Sequence, residues 1–167
     1  PVRRNDEIVG WILAVPFINA GNYPSLKEND CYSNRVFSFY NNLKDNLKLN
    51  KQYTENHSVI SMGHFMISGI DSASQNKLTG GLESVVSTEM SAIPGIDYWA
   101  MGHVHHPQNV GENIRYSGSP FAMTFNEIYP HSVTVVEIEN HNVDIKIREI
   151  EPLVPVVDFP FKPNSYD

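Results

Sequence analysis

The sequence predicts an α/β fold, and three features carry that prediction. Two apolar runs, residues 57–64 and 96–103, each end in Gly-His, as buried strands do when they present a polar group at the C-terminal edge of an open sheet. A segment of helical period, residues 31–49, precedes them. After residue 113 the pattern changes to the alternation of an antiparallel β hairpin.

In chain order, Ile8-Val9-Gly10-Trp11-Ile12-Leu13-Ala14-Val15 reads as a strand, and Asn19 to Ser25 as a loop rich in turn formers. Val36, Tyr40, Leu43 and Leu47 recur at helical spacing with Lys44, Asp45 and Lys48 on other faces, so 31–49 is expected to be an amphipathic helix. Residues 57–64 form the next strand, with His64 at its end. Residues 71–81 are polar and Gly-containing, hence a loop, and 82–90 are expected to form a short helix. The strand candidate 96–101 runs into Gly102-His103-Val104-His105-His106-Pro107. Ile114-Arg115-Tyr116 leads into Ser117-Gly118-Ser119-Pro120, and 133–139 and 143–149 flank an Asn140-His141-Asn142 turn. In the last strand Val143, Ile145 and Ile147 are expected to face the core and Asp144, Lys146 and Arg148 the solvent. Pro152, Pro155, Pro160 and Pro163 rule out a helix beyond residue 151. Residues 1–151 therefore read as one domain portion and 152–167 as an extended linker.

At 167 residues, with 41% hydrophobic and 19% charged content, the chain can build one sizeable core. No run approaches the roughly 20 apolar residues of a membrane span, and no leader opens the chain, so a cytoplasmic protein without membrane association is expected. Opening on Pro1, with a strand-like run close behind, reads as a chain cut at a processing boundary. Cys31, the single cysteine, reads as a small core residue without a chemical role. The formal charge of -7, with twelve Lys and Arg scattered along the chain, argues against a nucleic-acid module that works by phosphate neutralisation. A metal-dependent nuclease is partly exempt, since bound cations supply charge at the scissile phosphate.

Gly102-His103-Val104-His105 is the most informative stretch, because two imidazoles one residue apart on a turn leaving a strand can address a common volume. Neutral imidazole is a common ligand for Mn, Fe, Ni and Zn. Alone, the pattern also fits an exposed polar turn, and His64 alone fits a backbone-bonded turn residue.

The ordered set resembles the calcineurin-like metallophosphoesterases, and within them the SbcD-type DNA repair nuclease subunits. The similarity runs through Gly63-His64, Gly80-Gly81-Leu82-Glu83, residues 97–108, and Ile114 to Pro120, with Phe125 and Glu127 following. The resemblance implies that His64 and His103 bind one divalent metal and His105 a second, manganese first, with iron or zinc as alternatives. It implies half of a four-layer αββα sandwich ending in a β hairpin, with the last residues leading toward a capping domain. DNA as substrate, an SbcC-type ATPase subunit as partner and self-association as a homodimer follow from the same comparison. The Tyr116-Ser117-Gly118-Ser119-Pro120 segment resembles the structural turn beneath the site.

The carboxylate motifs of the family's first half, Asp-x-His, Gly-Asp and Gly-Asn-His-Asp/Glu, do not occur in this sequence. Asn56-His57 and Asn140-His141 lack the flanking Gly and acid and read as decoys. His106 and His131 fall outside the ligand positions and are expected to face solvent. The chain alone is therefore expected to hold a half-site of three neutral imidazoles and to be inactive. Two other readings remain: a phosphoesterase acting on a small phosphoester or cyclic nucleotide, and a non-catalytic interaction module that keeps the fold.

Overall fold

In the computed structural model, which describes residues 1–70, 85–89 and 93–153, the chain opens with strand β1 (Val2–Arg4), which turns back into β2 (Glu7–Ala14). The turn residues Asn5 and Asp6 both have positive φ, 49° and 67°, the conformation that matches strand twist in two-residue hairpins. A 3-10 turn (Ala20–Asn22) interrupts the following loop, and helix α1 (Tyr32–Lys48) returns the chain to β3 (Ser58–His64). Next come β4 (Met66–Ile67), β5 (Val85–Val86), β6 (Tyr98–Gly102), β7 (Gln108–Asn109) and β8 (Ile114–Tyr116). The hairpin of β9 (Ser132–Glu139) and β10 (Asn142–Glu149) closes the described part.

Among the described residues the main sheet has the order β1-β2-β3-β6-β8-β7. β2, β3, β6 and β8 are parallel neighbours, with β1 and β7 antiparallel at the edges. Parallel pairing of β2 with β3 requires a crossover, which α1 supplies. The fold is thus mixed α/β, as the sequence predicts.

One face of the sheet is closed by the helix. Trp11, Val59, Trp99, Met101, Ile114 and Tyr116 are buried, as are Val36 and Tyr40 of α1. The Tyr40 ring lies 5.0 Å from that of Trp99, edge to face, and its hydroxyl donates to the Met62 carbonyl at 2.9 Å. Each fully buried aliphatic side chain contributes about 1.5–3 kcal/mol to this layer. The helix stops where the Leu49 N–H turns back to Asn46 and Leu47 carbonyls.

The other face is less covered. Ile12 and Met62 are 44% and 43% exposed, whereas Tyr98 and Arg115 are buried. Arg115 Nε donates to Thr134 Oγ1 at 3.1 Å, which brings β9 to the sheet.

Several expectations need correction. Val85 and Val86, within the segment expected to be helical, form a strand parallel to β4, as β-branched residues favour; residues 82–84 and 90 lie outside the described residues. Lys44 is buried at 8% exposure, because its stem packs beside the turn at Gly95 while the ammonium reaches Asp45. Cys31 is exposed, since it caps the N-terminus of α1 and precedes the helix's buried stripe. In β10, Val143 and Ile145 are half-buried and Asp144 and Arg148 exposed, but Ile147 is 52% exposed and Lys146 half-buried. The alternation holds from Val143 to Ile145 and is lost at Lys146 and Ile147, where the hairpin's far end is only thinly covered. Its turn is two residues long, Asn140 and His141 with φ 49° and 65°, and Asn142 already belongs to β10. The expected linker from 152 onward lies, from residue 154, outside the described residues. Among the described residues no helix is long and apolar enough to cross a membrane.

Candidate metal centre

β3 and β6 run side by side with His64 paired to Gly102, so the two Gly-His ends meet at one edge of the sheet. The glycines have steric reasons. A Cβ on Gly63 would come within 2.7 Å of the Phe65 ring, and one on Gly102 within 2.9 Å of His64 Nδ1. The imidazole of His64 thus occupies the space that a side chain at 102 would take. With Nδ1 against the sheet, Nε2 is left on the far edge of the ring.

His103 follows with φ 95°, a conformation uncommon for a residue with a side chain and concentrated at functional sites. Its ring lies 5.3 Å from that of His64, at 76°. Val104 is buried at 2% exposure. Inward anchoring of this residue turns its two neighbours, His103 and His105, outward, which is the physical content of Gly-His-x-His. Phe17, from the loop after β2, sets its edge against His64 with centroids 5.6 Å apart.

His105 is held from two sides. Its carbonyl accepts the Ser119 N–H at 2.9 Å, and Gly118, at φ +81°, lies so close that a Cβ there would be 2.5 Å from that carbonyl oxygen. Its ring Nδ1 is 2.8 Å from Oε1 of Glu127. The Tyr116 hydroxyl donates to the Phe65 carbonyl at 2.7 Å and accepts from the Ile67 N–H at 3.0 Å, fixing the chain just past His64. Within the 116–120 segment, Tyr116 and Ser119 thus hydrogen-bond the chain beside His64 and His105.

The electrostatics follow from this crowding. Partial burial, and after it the neighbouring His105, hold His64 below the usual histidine value, which favours its neutral form. Burial pushes Glu127 upward, but hydrogen bonds from the Met123 N–H, His105 and Ser119 outweigh it and hold the carboxyl below its usual range.

The remaining histidines are engaged with neighbouring side chains and backbone. His57 Nδ1 accepts from Trp11 Nε1 and from the Thr54 N–H, both at 3.2 Å. His141 bonds Asp97 Oδ1 at 2.9 Å and the Glu55 carbonyl at 3.0 Å. His106 stacks on Tyr129 at 4.4 Å. His131, expected to face solvent, is instead buried at 7% exposure. Its Nδ1 donates to the Ser119 carbonyl at 2.9 Å, an interaction between separate segments that no local pattern announces.

Divalent transition ions bind imidazole nitrogen at about 2.1 Å, which places each ring centroid roughly 3 Å from the ion. Two rings with centroids 5.3 Å apart are therefore able to share one cation. His64 and His103 could each supply one imidazole nitrogen to such an ion. Among the described residues, however, no group of three or more His, Cys, Asp or Glu side chains is gathered closely enough to enclose one. Glu127 meets His105 at Nδ1, on the back of its ring. Its role was invisible in the sequence, where only its position after the Ser-Gly-Ser-Pro segment marked it.

Fold and site together define a class: an α/β protein with accessible imidazoles gathered at the C-terminal ends of parallel strands, where open sheets place their ligands. No family model matches the chain. Curated relatives do. It is 32% identical over 123 residues to the SbcD subunit of the nuclease SbcCD from Staphylococcus saprophyticus, covering 72% of this chain and 30% of that protein. To the same subunit from Rhodobacter capsulatus it is 29% identical over 147 residues, 83% of this chain and 36% of the relative. To that from Staphylococcus epidermidis it is 36% identical over 87 residues, 50% of this chain and 23% of the relative. The chain is thus related to the SbcD-type phosphoesterases, and spans 30% and 36% of the length of the first two.

Proposed function

We propose that the chain is the C-terminal part of a two-metal phosphoesterase domain that hydrolyses DNA phosphodiester bonds, with His64, His103 and His105 as its share of the metal ligands. The observation that carries this reading is the meeting of the His64 and His103 rings, 5.3 Å apart, at the ends of paired strands. Residues 1–151 then form the later portion of the domain, half of an αββα sandwich, and 152–167 lead toward a further domain. The relatives' greater length supports that division.

In this reading His64 and His103 hold one cation and His105 the other, manganese before iron or zinc. When bound, such ions supply Lewis-acid charge at a phosphoryl oxygen and lower the pKa of a water. The chain's own residues orient the ligands: Gly102 makes room for His64, Val104 turns His103 and His105 outward, and Phe17 shields one side. Neutral imidazoles bring no negative charge to bridge two cations, so the isolated chain is expected to be inactive. The relatives are named as one subunit of the nuclease SbcCD, which supports an SbcC-type ATPase subunit as partner. Association as a homodimer and a cytoplasmic setting complete the proposal.

The test is direct. Calorimetry should detect Mn²⁺ or Zn²⁺ binding by this chain and its weakening in His64→Ala, His103→Ala and His105→Ala. The chain should leave linear duplex DNA intact in Mn²⁺, whereas the full-length protein should cut it and lose that activity with His105→Ala. Chelator-sensitive cleavage by the purified chain would overturn the half-site reading. The net charge of -7 favours one rival, a phosphoesterase for small substrates. Hydrolysis of cyclic nucleotides, with DNA untouched by the full-length protein, would select it.

A further inference from the structure

Glu127 is 2% exposed, and a carboxylate is seldom so buried unless its oxygens are fully engaged. Here they are. Oε2 accepts the Met123 N–H at 2.9 Å and faces Ser119 Oγ at 3.2 Å. Oε1 faces Thr124 Oγ1 at 3.3 Å and His105 Nδ1 at 2.8 Å. The wiring of protons follows from donor capacity. The Ser119 carbonyl can only accept, so His131 Nδ1 carries the proton in that contact; the Ser119 hydroxyl is then free to donate to Glu127. Met123 contributes a backbone N–H, which can only donate. An ionised carboxylate accepts and does not donate, and four contacts on two oxygens match that capacity. The proton in the shortest of them therefore sits on His105 Nδ1.

We propose that Glu127 is the positioning residue of His105: its buried carboxylate holds the ring as the Nδ1–H tautomer and leaves the Nε2 lone pair facing the cleft. The two side chains divide accordingly, His105 being 38% exposed and Glu127 0%. This rests on the reading of His105 as a metal ligand, and it names what aims that ligand. Carboxylates behind ligating histidines fix ring orientation and raise basicity, and their loss typically lowers metal affinity about 10–100-fold. Glu127 is itself held by the local turn, whose Glu127 N–H bonds the Thr124 carbonyl at 3.2 Å. The segment after Ser-Gly-Ser-Pro is thus tied to the second histidine of Gly-His-x-His through one side chain.

Nitrogen-15 NMR of the imidazoles, combined with Zn²⁺ titration of the whole chain, tests the proposal. In its neutral form, the wild-type ring should show the Nδ1–H pattern. In Glu127→Ala it should revert toward Nε2–H, the form a free imidazole prefers, with Zn²⁺ affinity reduced about 10–100-fold. Glu127→Gln, with one carbonyl oxygen for four donors, should fall between the two. The β9–β10 amide signals in the same spectra report whether each variant is folded; should Ala unfold the chain, the wild-type tautomer and the Gln variant decide. An Nε2–H ring in the folded wild type, or equal tautomer and affinity in all three proteins, overturns the positioning role while leaving the metal reading intact. A wild-type chain with the Nδ1–H ring that binds no Zn²⁺ overturns the metal reading and leaves the pairing of ring and carboxylate standing.

Discussion

His64 and Gly102 are register partners on adjacent parallel strands, and the imidazole of the first fills the space where a side chain of the second would stand, 2.9 Å from Nδ1. The two Gly-His ends are thus parts of one packing unit. Gly102→Ala should force the ring to shift at a cost of about 1–3 kcal/mol, as overpacking does. Urea denaturation of the single and double variants checks this. In a His64→Ala background the Gly102→Ala cost should largely vanish, and a cost unchanged by removing the ring would show that the glycine answers to something else.

Gly118 combines φ +81° with a carbonyl 2.5 Å from its would-be Cβ. Gly118→Ala should therefore lose about 1–3 kcal/mol to backbone strain, and the displaced His105 carbonyl should weaken metal binding as well. Thermal unfolding and calorimetry read the two effects separately. Wild-type stability in this variant would mean the turn can rearrange freely.

Tyr116 uses one hydroxyl to join the Phe65 carbonyl and the Ile67 N–H. Tyr116→Phe strands both backbone groups in the interior, where an unsatisfied partner costs about 1–3 kcal/mol. Hydrogen exchange should show the Ile67 amide among the most accelerated. Unchanged protection there would refute the link.

His141 ties the hairpin turn to Asp97 and Glu55, and its pKa is raised above 6.5, first by the hydrogen bond to Asp97. A raised native pKa means the protonated form is favoured by folding. The contribution is fully present below the unfolded value of 6.5 and fades as pH rises through the native value. The ring is 46% exposed, so screening keeps the effect small. Protection of the turn amides at 140–142 should fall from pH 6 to pH 9, and His141→Gln should flatten that profile. A wild-type profile already flat over this range would remove His141 from the hairpin's stability.

Local pattern reached far in this chain. The alternation and apolar runs located β2, α1, β3, β6, β8 and the hairpin because side-chain periodicity is dictated by which face an element buries, and that is written in consecutive residues. Gly-His and Gly-His-x-His were legible for a related reason: a glycine that admits a neighbouring ring and a Val104 that anchors the turn leave their mark within four residues. The relationship to SbcD-type subunits was visible in the order of these motifs.

Only the tertiary structure decided what depends on contacts between distant segments. The burial of His131 is set by the Ser119 carbonyl, that of Lys44 by the turn at Gly95, and the strand at Val85 by pairing with Met66. The same holds for Glu127, an ordinary acid in the sequence until the fold sets its carboxylate 2.8 Å from His105. Sequence dictates the period of each element, but whether a polar side chain is buried and satisfied depends on donors and acceptors that arrive from elsewhere, and their positions exist only once the chain has folded.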